Sequence, residues 1–357
     1  MPGKRHRRVA SIVLLSSIYV LWLLRSFSGV SSDNPSVDFR HLGENRCDLQ
    51  LLIVVLTATR YQSLARLLRS LSSADYGCST VDLHITIDKV DSVSQEASRA
   101  SELCLNTSVS FQWSHGRKSI FRRLQHAGLS QSWFESPYQS SVRHGAGYSY
   151  LAILEDDMEV SPHFFTLFTY FQELGAFSDP SITAFCLHPE DWEVRVPPTC
   201  HGKRGKLSRI LYESPEPCNW GPIWKYSEWS TYIDWVFTMK ARGELPFVDE
   251  DISYNYNKYL SDGKDVQSSW VWRYNFEFGK RQVRYSFNRC LRIRELFLAI
   301  NHKEPGEHFK KKLDFQNDHD LLNFKLELAV SSLATETSFE PVPFKSFVKG
   351  AKSMRGK

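Results

Sequence analysis

Three consecutive acids, Glu155, Asp156 and Asp157, have the residue types and spacing to do chemistry. They follow an apolar segment over residues 150–154 and precede a helix predicted to begin near residue 161. Ligands of α/β sheets bind just beyond the carboxyl ends of the strands. Adjacent carboxylates repel one another and are costly to bury, so the simplest partner is a hard divalent ion that prefers oxygen ligands. The pattern predicts a metal site for a phosphorylated substrate; the alternative is a solvated turn that supports the next helix through its dipole.

Polar residues also follow the other predicted strands of the first half. In chain order they are Arg60 after residues 49–56, Asp88 after 81–87, and His115 and Lys118 after 109–113. The carboxyl ends of parallel strands meet at one edge, so we expect these side chains to converge with the acids on one crevice. Asp88 can hold a base or ribose, and Arg60 or Lys118 can bind a phosphate. The alternative for each of them is an ordinary charged or polar residue in a surface loop.

Helices are predicted between these strands, and the alternation indicates the fold class. The predicted helices cover residues 62–72, 94–104 and 119–129. Strands that alternate with helices form a mostly parallel sheet with right-handed crossovers. We therefore expect an α/β fold with a Rossmann-like central sheet and flanking helices. The second half is predicted to hold a long loop, two helices and two strands, over residues 191–217, 227–241, 266–279, 281–286 and 291–299.

Composition excludes several classes of protein. The 357 residues are 42% hydrophobic, which is enough to bury a sizeable core. The net charge is only +4, and much of the excess positive charge lies at the two ends of the chain. The body therefore lacks the basic patch that is typical of nucleic-acid-binding proteins. The chain has no P-loop, no Gly-x-Gly-x-x-Gly after the first strand, no His-Glu-x-x-His and no Gly-x-Ser-x-Gly. Kinase, dehydrogenase and hydrolase functions lose support accordingly.

The N-terminus has the pattern of a membrane anchor. Four basic residues within 1–8 precede an apolar stretch over residues 9–24. A basic flank on the N-terminal side predicts a cytosolic tail over 1–8, a transmembrane signal anchor over 9–25 and a stem over 26–46. The short span suits a Golgi or ER membrane, with a single-pass type II topology and a lumenal body. The alternative is a cleaved signal peptide, although no Ala-x-Ala type site follows.

The cysteines and one sequon fit a lumenal body. Seven cysteines without a Cys-x-x-Cys pair favour disulfides over zinc, and the odd count leaves at least one thiol free or intermolecular. Asn106-Thr107-Ser108 is available for N-glycosylation in that compartment.

The motifs resemble a known fold family. The segments LLIVVLTATR, ITIDK and AILEDDMEVSPHFF are similar, in that order, to the GT-A glycosyltransferases, and most to the N-acetylglucosaminyltransferase I family. Cys218-Asn219-Trp220-Gly221-Pro222 and Ser268-Ser269-Trp270 also resemble a group of plant and algal GT-A-like proteins. The resemblance covers roughly residues 48–310. It implies a nucleotide-sugar-binding half over 47–165, an acceptor-side half over 166–310 and a C-terminal extension over 311–357.

The resemblance also implies roles for the residues at the strand ends. Asp157 would bind Mn²⁺ or Mg²⁺, which clamps the diphosphate of a nucleotide sugar, with UDP-N-acetylglucosamine as the implied donor. Glu155 and Asp156 would contact the donor sugar or ribose, Asp88 the nucleoside and Arg60 the nucleotide. His115 and Lys118 remain candidates for the same donor site. The implied activity is transfer of the sugar to a glycan or glycoconjugate acceptor with inversion of configuration.

The general base is where this sequence departs from the family. An Asp-Asp-Trp segment supplies the base in that family, whereas Ser268 and Ser269 precede Trp270 here. Serine cannot take that role at neutral pH without help. Asp265 and Glu277 are the nearby alternatives, and Glu277 is favoured because it is expected on about the same helix face as Trp270. Acids over 249–251, a retaining mechanism without a base, and an inactive lectin-like or scaffold protein also stay open.

Overall fold

The computed structural model describes residues 49–90, 94–144, 147–162, 164–173, 175–187, 211–246, 267–285 and 298–300. These residues all belong to one compact unit, Phe39–Lys357. The predicted tail, anchor and stem, and the predicted C-terminal extension, lie outside the described residues. Among the helices that the structure describes, none is long and apolar enough to cross a membrane.

Strands and helices alternate through the first half of the chain. The strands are β1 Gln50–Thr57, β2 Thr80–Ile87, β3 Lys118–Arg122, β4 Tyr150–Glu155, β5 Met158–Val160, β6 Ile182–Cys186, β7 Leu211–Ser214, β8 Pro222–Lys225, β9 Arg281–Tyr285 and β10 Leu298–Ile300. The helices are α1 Tyr61–Ser72, α2 Gln95–Ser110, α3 Gly128–His144, α4 Phe164–Glu173, α5 Tyr226–Ala241 and α6 Gln267–Glu277.

Eight of these strands form one mixed sheet in the order β3-β2-β1-β4-β8-β6-β9-β7. Strands β3, β2, β1 and β4 are parallel, and β8 runs antiparallel to both β4 and β6. The chain therefore builds outward from β1 to β3 and then crosses back to place β4 on the other side of β1. This reversal makes the gap between β1 and β4 the topological switch point of the sheet. The prediction of an α/β fold with a Rossmann-like central sheet and flanking helices is confirmed.

The apolar run of β1 is buried because helices cover both faces of the sheet. Leu51, Ile53 and Val55 belong to a core cluster with residues of α1, α2 and α4. Leu52 and Val54 belong to a second cluster, with residues of α3, α5 and α6. Successive side chains of a strand point to opposite faces, so a continuous apolar run supplies both cores. Full burial of each such side chain contributes roughly 2 kcal/mol.

The third strand and its neighbouring helices differ from the sequence prediction. Helix α2 continues to Ser110, and β3 overlaps the range predicted as the helix 119–129. The first two residues of the predicted strand 109–113 belong to this helix, in which the Ser108 and Ser110 hydroxyls donate to the carbonyl oxygens four residues earlier. Strand β5, directly after the acids, was also not predicted; it pairs antiparallel with β10.

A polar network closes the amino edge of the sheet. Asp82 of β2 is buried and accepts hydrogen bonds from the Arg117 backbone N–H at 2.7 Å, the Arg117 guanidinium at 2.7 and 2.9 Å, and the Tyr148 hydroxyl at 2.7 Å. Gly116 permits this close approach, because a Cβ atom there would lie 2.3 Å from the carbonyl oxygen of Val81. The network joins β2 to the segments that precede β3 and β4.

Candidate functional site

The acidic triplet lies at the topological switch point. Glu155 is the last residue of β4 and pairs in register with Leu56 of β1. The backbone N–H of Asp156 then donates to the carbonyl oxygen of Leu56 at 3.1 Å, which keeps the acids beside the end of β1. Thr57, the last residue of β1, therefore faces the triplet across the gap where ligands of open α/β sheets bind.

Arg60 supplies the positive charge that the triplet needs. Its guanidinium forms an ion pair with the carboxylate of Asp156 and donates from Nη1 to Oδ2 of Asp157 at 3.0 Å. The hydroxyl of Thr57 donates to Oδ2 of Asp156 at 2.6 Å. Burial raises the pKa of Asp156 to about 6, although Arg60 and Thr57 act in the opposite direction. A side chain from the end of β1 thus binds two carboxylates from the end of β4.

Glu155 contacts a different element. The indole Nε1–H of Trp133 on α3 donates to Oε1 of Glu155 at 3.1 Å. Burial, followed by the negative charge of Asp157, raises the pKa of Glu155 to about 8. Within the part of the chain that the structure describes, the second carboxyl oxygen of Glu155 has no hydrogen-bond partner. It is the carboxyl oxygen that a ligand could reach.

Asp157 is the residue of the triplet that could hold a divalent ion together with other ligands. The described residues contain no group of three or more His, Cys, Asp or Glu side chains that could hold a metal alone. Mg²⁺ and similar ions are often bound by only one or two carboxylates together with substrate phosphates and waters. Asp157 is partly exposed, and Arg60 contacts only its Oδ2 oxygen. Its other oxygen is available as a single protein ligand of that kind.

Asp88 is at the same edge, but its carboxylate binds the protein backbone. Its two oxygens accept the N–H groups of Lys89, Ala127 and Gly128 at 2.9, 3.0 and 2.9 Å, and Nδ1 of His126 lies 3.0 Å from Oδ2. These contacts connect the end of β2 to the start of α3. Asp88 follows β2, which is two strands away from β4, so it lies about 10 Å from the triplet along this edge. The predicted contact of Asp88 with a nucleoside stays a prediction.

His115 and Lys118 lie at the opposite edge of the sheet. They come at the start of β3, so the prediction that they follow the third strand and converge with the acids is wrong. The amino group of Lys118 donates to carbonyl oxygens at the end of α2, those of Ser108 at 2.9 Å and Val109 at 3.1 Å. The ring of His115 packs edge-on against Tyr76. Both side chains stabilise local structure.

Arg123 occupies the true carboxyl end of β3. It is buried and forms an ion pair with Glu135 of α3. The sequence prediction missed it because the segment was assigned to a helix. Trp133 was also missed, since it falls in a stretch for which no element was predicted and only the fold brings it to Glu155.

Glu277, the residue favoured as general base, lies away from the crevice. It is near the end of α6, which leads through a short turn into β9, and Arg281 of β9 pairs with Ile182 at the amino edge. Its carboxylate is 3.5 Å from Arg273 and 44% exposed. Glu277 therefore lies at the edge opposite the triplet, where no contact among the described residues supports a role as base, and that role stays a prediction. Asp265 and the acids over 249–251 lie outside the described residues.

The start of α6 is the part of that helix at the carboxyl edge. The backbone N–H of Gln267 lies 3.4 Å from the Ser130 hydroxyl of α3. Ser268 and Ser269 are buried beside it. The two positions to which the resemblance assigns a base thus lie at the same edge of the sheet as the triplet, but serine hydroxyl groups occupy them.

The cysteines of the described residues are mostly paired. Cys186, at the end of β6, is bonded to Cys218, which precedes β8. Cys78 is also disulfide-bonded. Cys104 is a buried free thiol, whose Sγ lies 3.7 Å from the hydroxyl of Thr57.

Comparisons with known proteins give distant similarity to solved structures and no other match. No family model matches the chain, and no curated protein matches it. Among solved structures the chain is similar to TarS from S. aureus, a glycosyltransferase, with a TM-score of 0.25 and 12% identity. The match covers 47% of this chain and 25% of TarS, so the chain spans about a quarter of that protein's length. A TM-score at this level carries no argument about activity.

Proposed function

We propose that this chain is a metal-dependent glycosyltransferase that uses a nucleotide-sugar donor, with UDP-N-acetylglucosamine as the expected one. The expected acceptor is a glycan or glycoconjugate. One observation carries the proposal: Arg60 after β1 faces Asp156 and Asp157 after β4 across the topological switch point. A guanidinium suited to phosphate and carboxylates suited to a metal thus lie where open α/β sheets bind ligands, which supports the proposal.

In this proposal some side chains neutralise the charge of the donor and others orient it. Arg60 can bind the diphosphate through the planar guanidinium, which matches phosphate geometry. Asp157 would hold Mn²⁺ or Mg²⁺, which would neutralise the negative charge that develops on the leaving nucleoside diphosphate. Glu155 would direct its second oxygen to the donor sugar. Asp156, held by Thr57 and Arg60, fixes the position of its two neighbours.

The stereochemical course has two candidates. Inversion is expected from the resemblance and needs a base, which Asp265 could supply. Retention needs no such base, and one observation favours it as the second candidate. Ser268 and Ser269 occupy the start of α6 at the carboxyl edge, where the resemblance expects acids. The anomeric configuration of the product distinguishes the two courses.

We also propose that the catalytic body lies in the lumen of the Golgi or ER. The Cys186–Cys218 disulfide is typical of proteins that fold in an oxidising environment. Together with the N-terminal pattern it supports a type II protein of the Golgi or ER membrane with a lumenal catalytic body.

A thermal-shift experiment tests the proposed function. UDP-N-acetylglucosamine at about one hundred times its Kd should stabilise the purified full chain by about 2.7 kcal/mol with Mn²⁺ present, which corresponds to roughly 4 °C in Tm for a chain of this length. The shift should disappear with EDTA and in Asp157→Asn. Asp234→Asn, an exposed acid on α5, is the matched control and should keep it. Donor hydrolysis measured on the same samples distinguishes an enzyme from an inactive sugar-binding protein.

The proposal fails if no uridine or guanosine nucleotide sugar shifts Tm with Mn²⁺ present. Binding without any hydrolysis or transfer would instead support the lectin-like or scaffold function.

A further inference from the structure

We propose that Trp133 is a positioning residue: its indole N–H holds one oxygen of Glu155 so that the other oxygen faces the donor sugar. This inference rests on the proposed function, because it assigns Glu155 the sugar as its ligand. It adds a residue from α3 to a site otherwise built from the ends of β1 and β4.

The first step of the argument is the contact itself. Nε1 of Trp133 lies 3.1 Å from Oε1 of Glu155, which is an ordinary hydrogen-bond distance for an N–H donor and a carboxyl acceptor. The indole has one donor and no acceptor, so it can hold only one of the two oxygens. The backbone N–H of Glu155 is engaged separately, with Sδ of Met158 at 3.4 Å. Among the described residues, Trp133 is the hydrogen-bond partner of the Glu155 side chain.

The second step is that Trp133 cannot easily move. It is 4% exposed and belongs to the core cluster that contains Leu52, Val54 and Leu56 of β1. Two large aromatic ring surfaces in such a cluster, those of Trp133 and Phe134, bury much apolar area. A glutamate side chain rotates about three bonds, and fixing it to a rigid donor removes most of that freedom.

The third step is that α3 is tied to the same edge of the sheet. Asp88 at the end of β2 accepts the N–H groups of Ala127 and Gly128, where α3 begins. Arg123 at the end of β3 forms an ion pair with Glu135 of the helix. Trp133 lies between these two anchor points along α3. Helix α3 is therefore fixed by the ends of β2 and β3, and through Trp133 it fixes Glu155 at the end of β4.

The experiment compares Trp133→Phe with Trp229→Phe in the full chain. Both tryptophans are buried in the same core cluster, and Trp229 has no contact with Glu155 in the structure. We expect Trp133→Phe to lower kcat/KM for UDP-N-acetylglucosamine hydrolysis by about threefold to tenfold, the loss typical of one hydrogen bond between uncharged groups. The affinity for UDP alone should stay within about twofold, because UDP lacks the sugar.

A double-mutant cycle separates positioning from packing. In a Glu155→Ala background, Trp133→Phe should have no further effect on kcat/KM, since the group that it positions is gone. Equal losses in both backgrounds, or a loss that Trp229→Phe reproduces, would overturn the proposal.

An NMR measurement keeps the proposal testable if Trp133→Phe does not fold. The indole N–H resonance of Trp133 in the ¹⁵N-labelled chain should move in Glu155→Ala, which leaves the tryptophan core intact. It should also move more with UDP-N-acetylglucosamine than with UDP. If the donor binds but the resonance has the same chemical shift with UDP-N-acetylglucosamine as with UDP, the role of Trp133 is refuted and the proposed function is not. Failure of every donor to bind would instead refute the proposed function.

Discussion

Arg60 determines the charge balance of the acidic triplet. It contacts Asp156 and Asp157 at once, while Thr57 donates a further hydrogen bond to Asp156. Removing one partner of a buried charge pair costs more than the pair itself contributes, because the remaining charge loses its solvation and its partner together. The sequence predicted Arg60 and the triplet correctly at the strand ends. It did not predict their direct contact, which depends on β4 crossing back to pair with β1.

Arg60→Gln should therefore destabilise the protein at neutral pH. The buried Asp156 would keep the Thr57 hydroxyl and lose its ion pair, so we expect a loss of about 1 to 3 kcal/mol in the free energy of unfolding. Urea denaturation measures this loss through the midpoint, with an unchanged m-value. Arg69→Gln, an exposed arginine in the last turn of α1, is the matched control. A loss no larger than that of the control would show that Arg60 does not stabilise the triplet.

At the scale of elements, polar side chains connect the strand ends to the helices that follow them. Asp88 connects β2 to α3, and Lys118 connects β3 to the end of α2. The sequence predicted β1, α1, β2 and β4 within one or two residues, because long apolar runs and clear helical spacing define them. It failed between residues 105 and 130. There the polar end of α2 and the five residues of β3 show neither a clear helical period nor a clear strand period.

Asp88→Ala should loosen the start of α3. Two backbone N–H groups, those of Ala127 and Gly128, would lose their acceptor, and the expected cost is about 1 to 3 kcal/mol of unfolding free energy. Amide hydrogen exchange at these two residues should accelerate more than at the middle of α3. Glu96→Ala in the first turn of α2 provides the control. Unchanged exchange at Ala127 and Gly128 would contradict the anchoring role.

Gly116→Ala should be costly although the backbone there is not strained. The added Cβ would lie 2.3 Å from the carbonyl oxygen of Val81 and 2.7 Å from Oδ1 of Asp82, so the chain has to shift. Such overpacking typically costs about 1 to 3 kcal/mol. The change in Tm measures it, with the exposed Ser114→Ala as the control. Equal Tm values for the two variants would mean that the segment moves freely away from β2.

At the scale of the molecule, the sheet is held together at its amino edge by Asp82 and at its carboxyl edge by a disulfide. Burial acts to raise the pKa of Asp82, but hydrogen bonds from Tyr148 and Arg117 outweigh it and leave the pKa below its ordinary value. The Cys186–Cys218 bond joins the end of β6 to the segment before β8. The predicted boundary after residue 165 does not divide the sheet, since strands from both sides of it pair in register.

The Asp82 network predicts how stability depends on pH. A carboxyl group whose pKa is lowered by folding contributes stability at pH values above its unfolded pKa, which is near 4. That contribution is lost as the pH falls through the lower folded pKa. Asp82→Asn should lower Tm at pH 7 and have a much smaller effect near pH 2 to 3, as thermal scans across this range would show. An equal decrease in Tm at both ends of the range would exclude this linkage.

Removal of the Cys186–Cys218 disulfide should destabilise the part of the sheet that contains β6 and β8. The bond closes a loop with a sequence separation of 32 residues. In the chain-entropy account this loop length corresponds to about 3 to 4 kcal/mol. The Cys186→Ala, Cys218→Ala double variant should unfold at a correspondingly lower urea concentration under non-reducing conditions. A variant of unchanged stability would indicate that the native fold brings these strands together without help.

The Asp82 network at the amino edge has a consequence for how this scaffold can diverge. Asp82 and Arg117 bind each other there, so we expect substitutions at that edge to destabilise the fold. At the opposite edge, Glu155 and Asp157 each keep an oxygen that no described residue binds. Lineages of this fold can therefore exchange ligands by altering residues after β1 and β4 while the interior stays as it is. Variation among relatives should accordingly concentrate at one end of the strands.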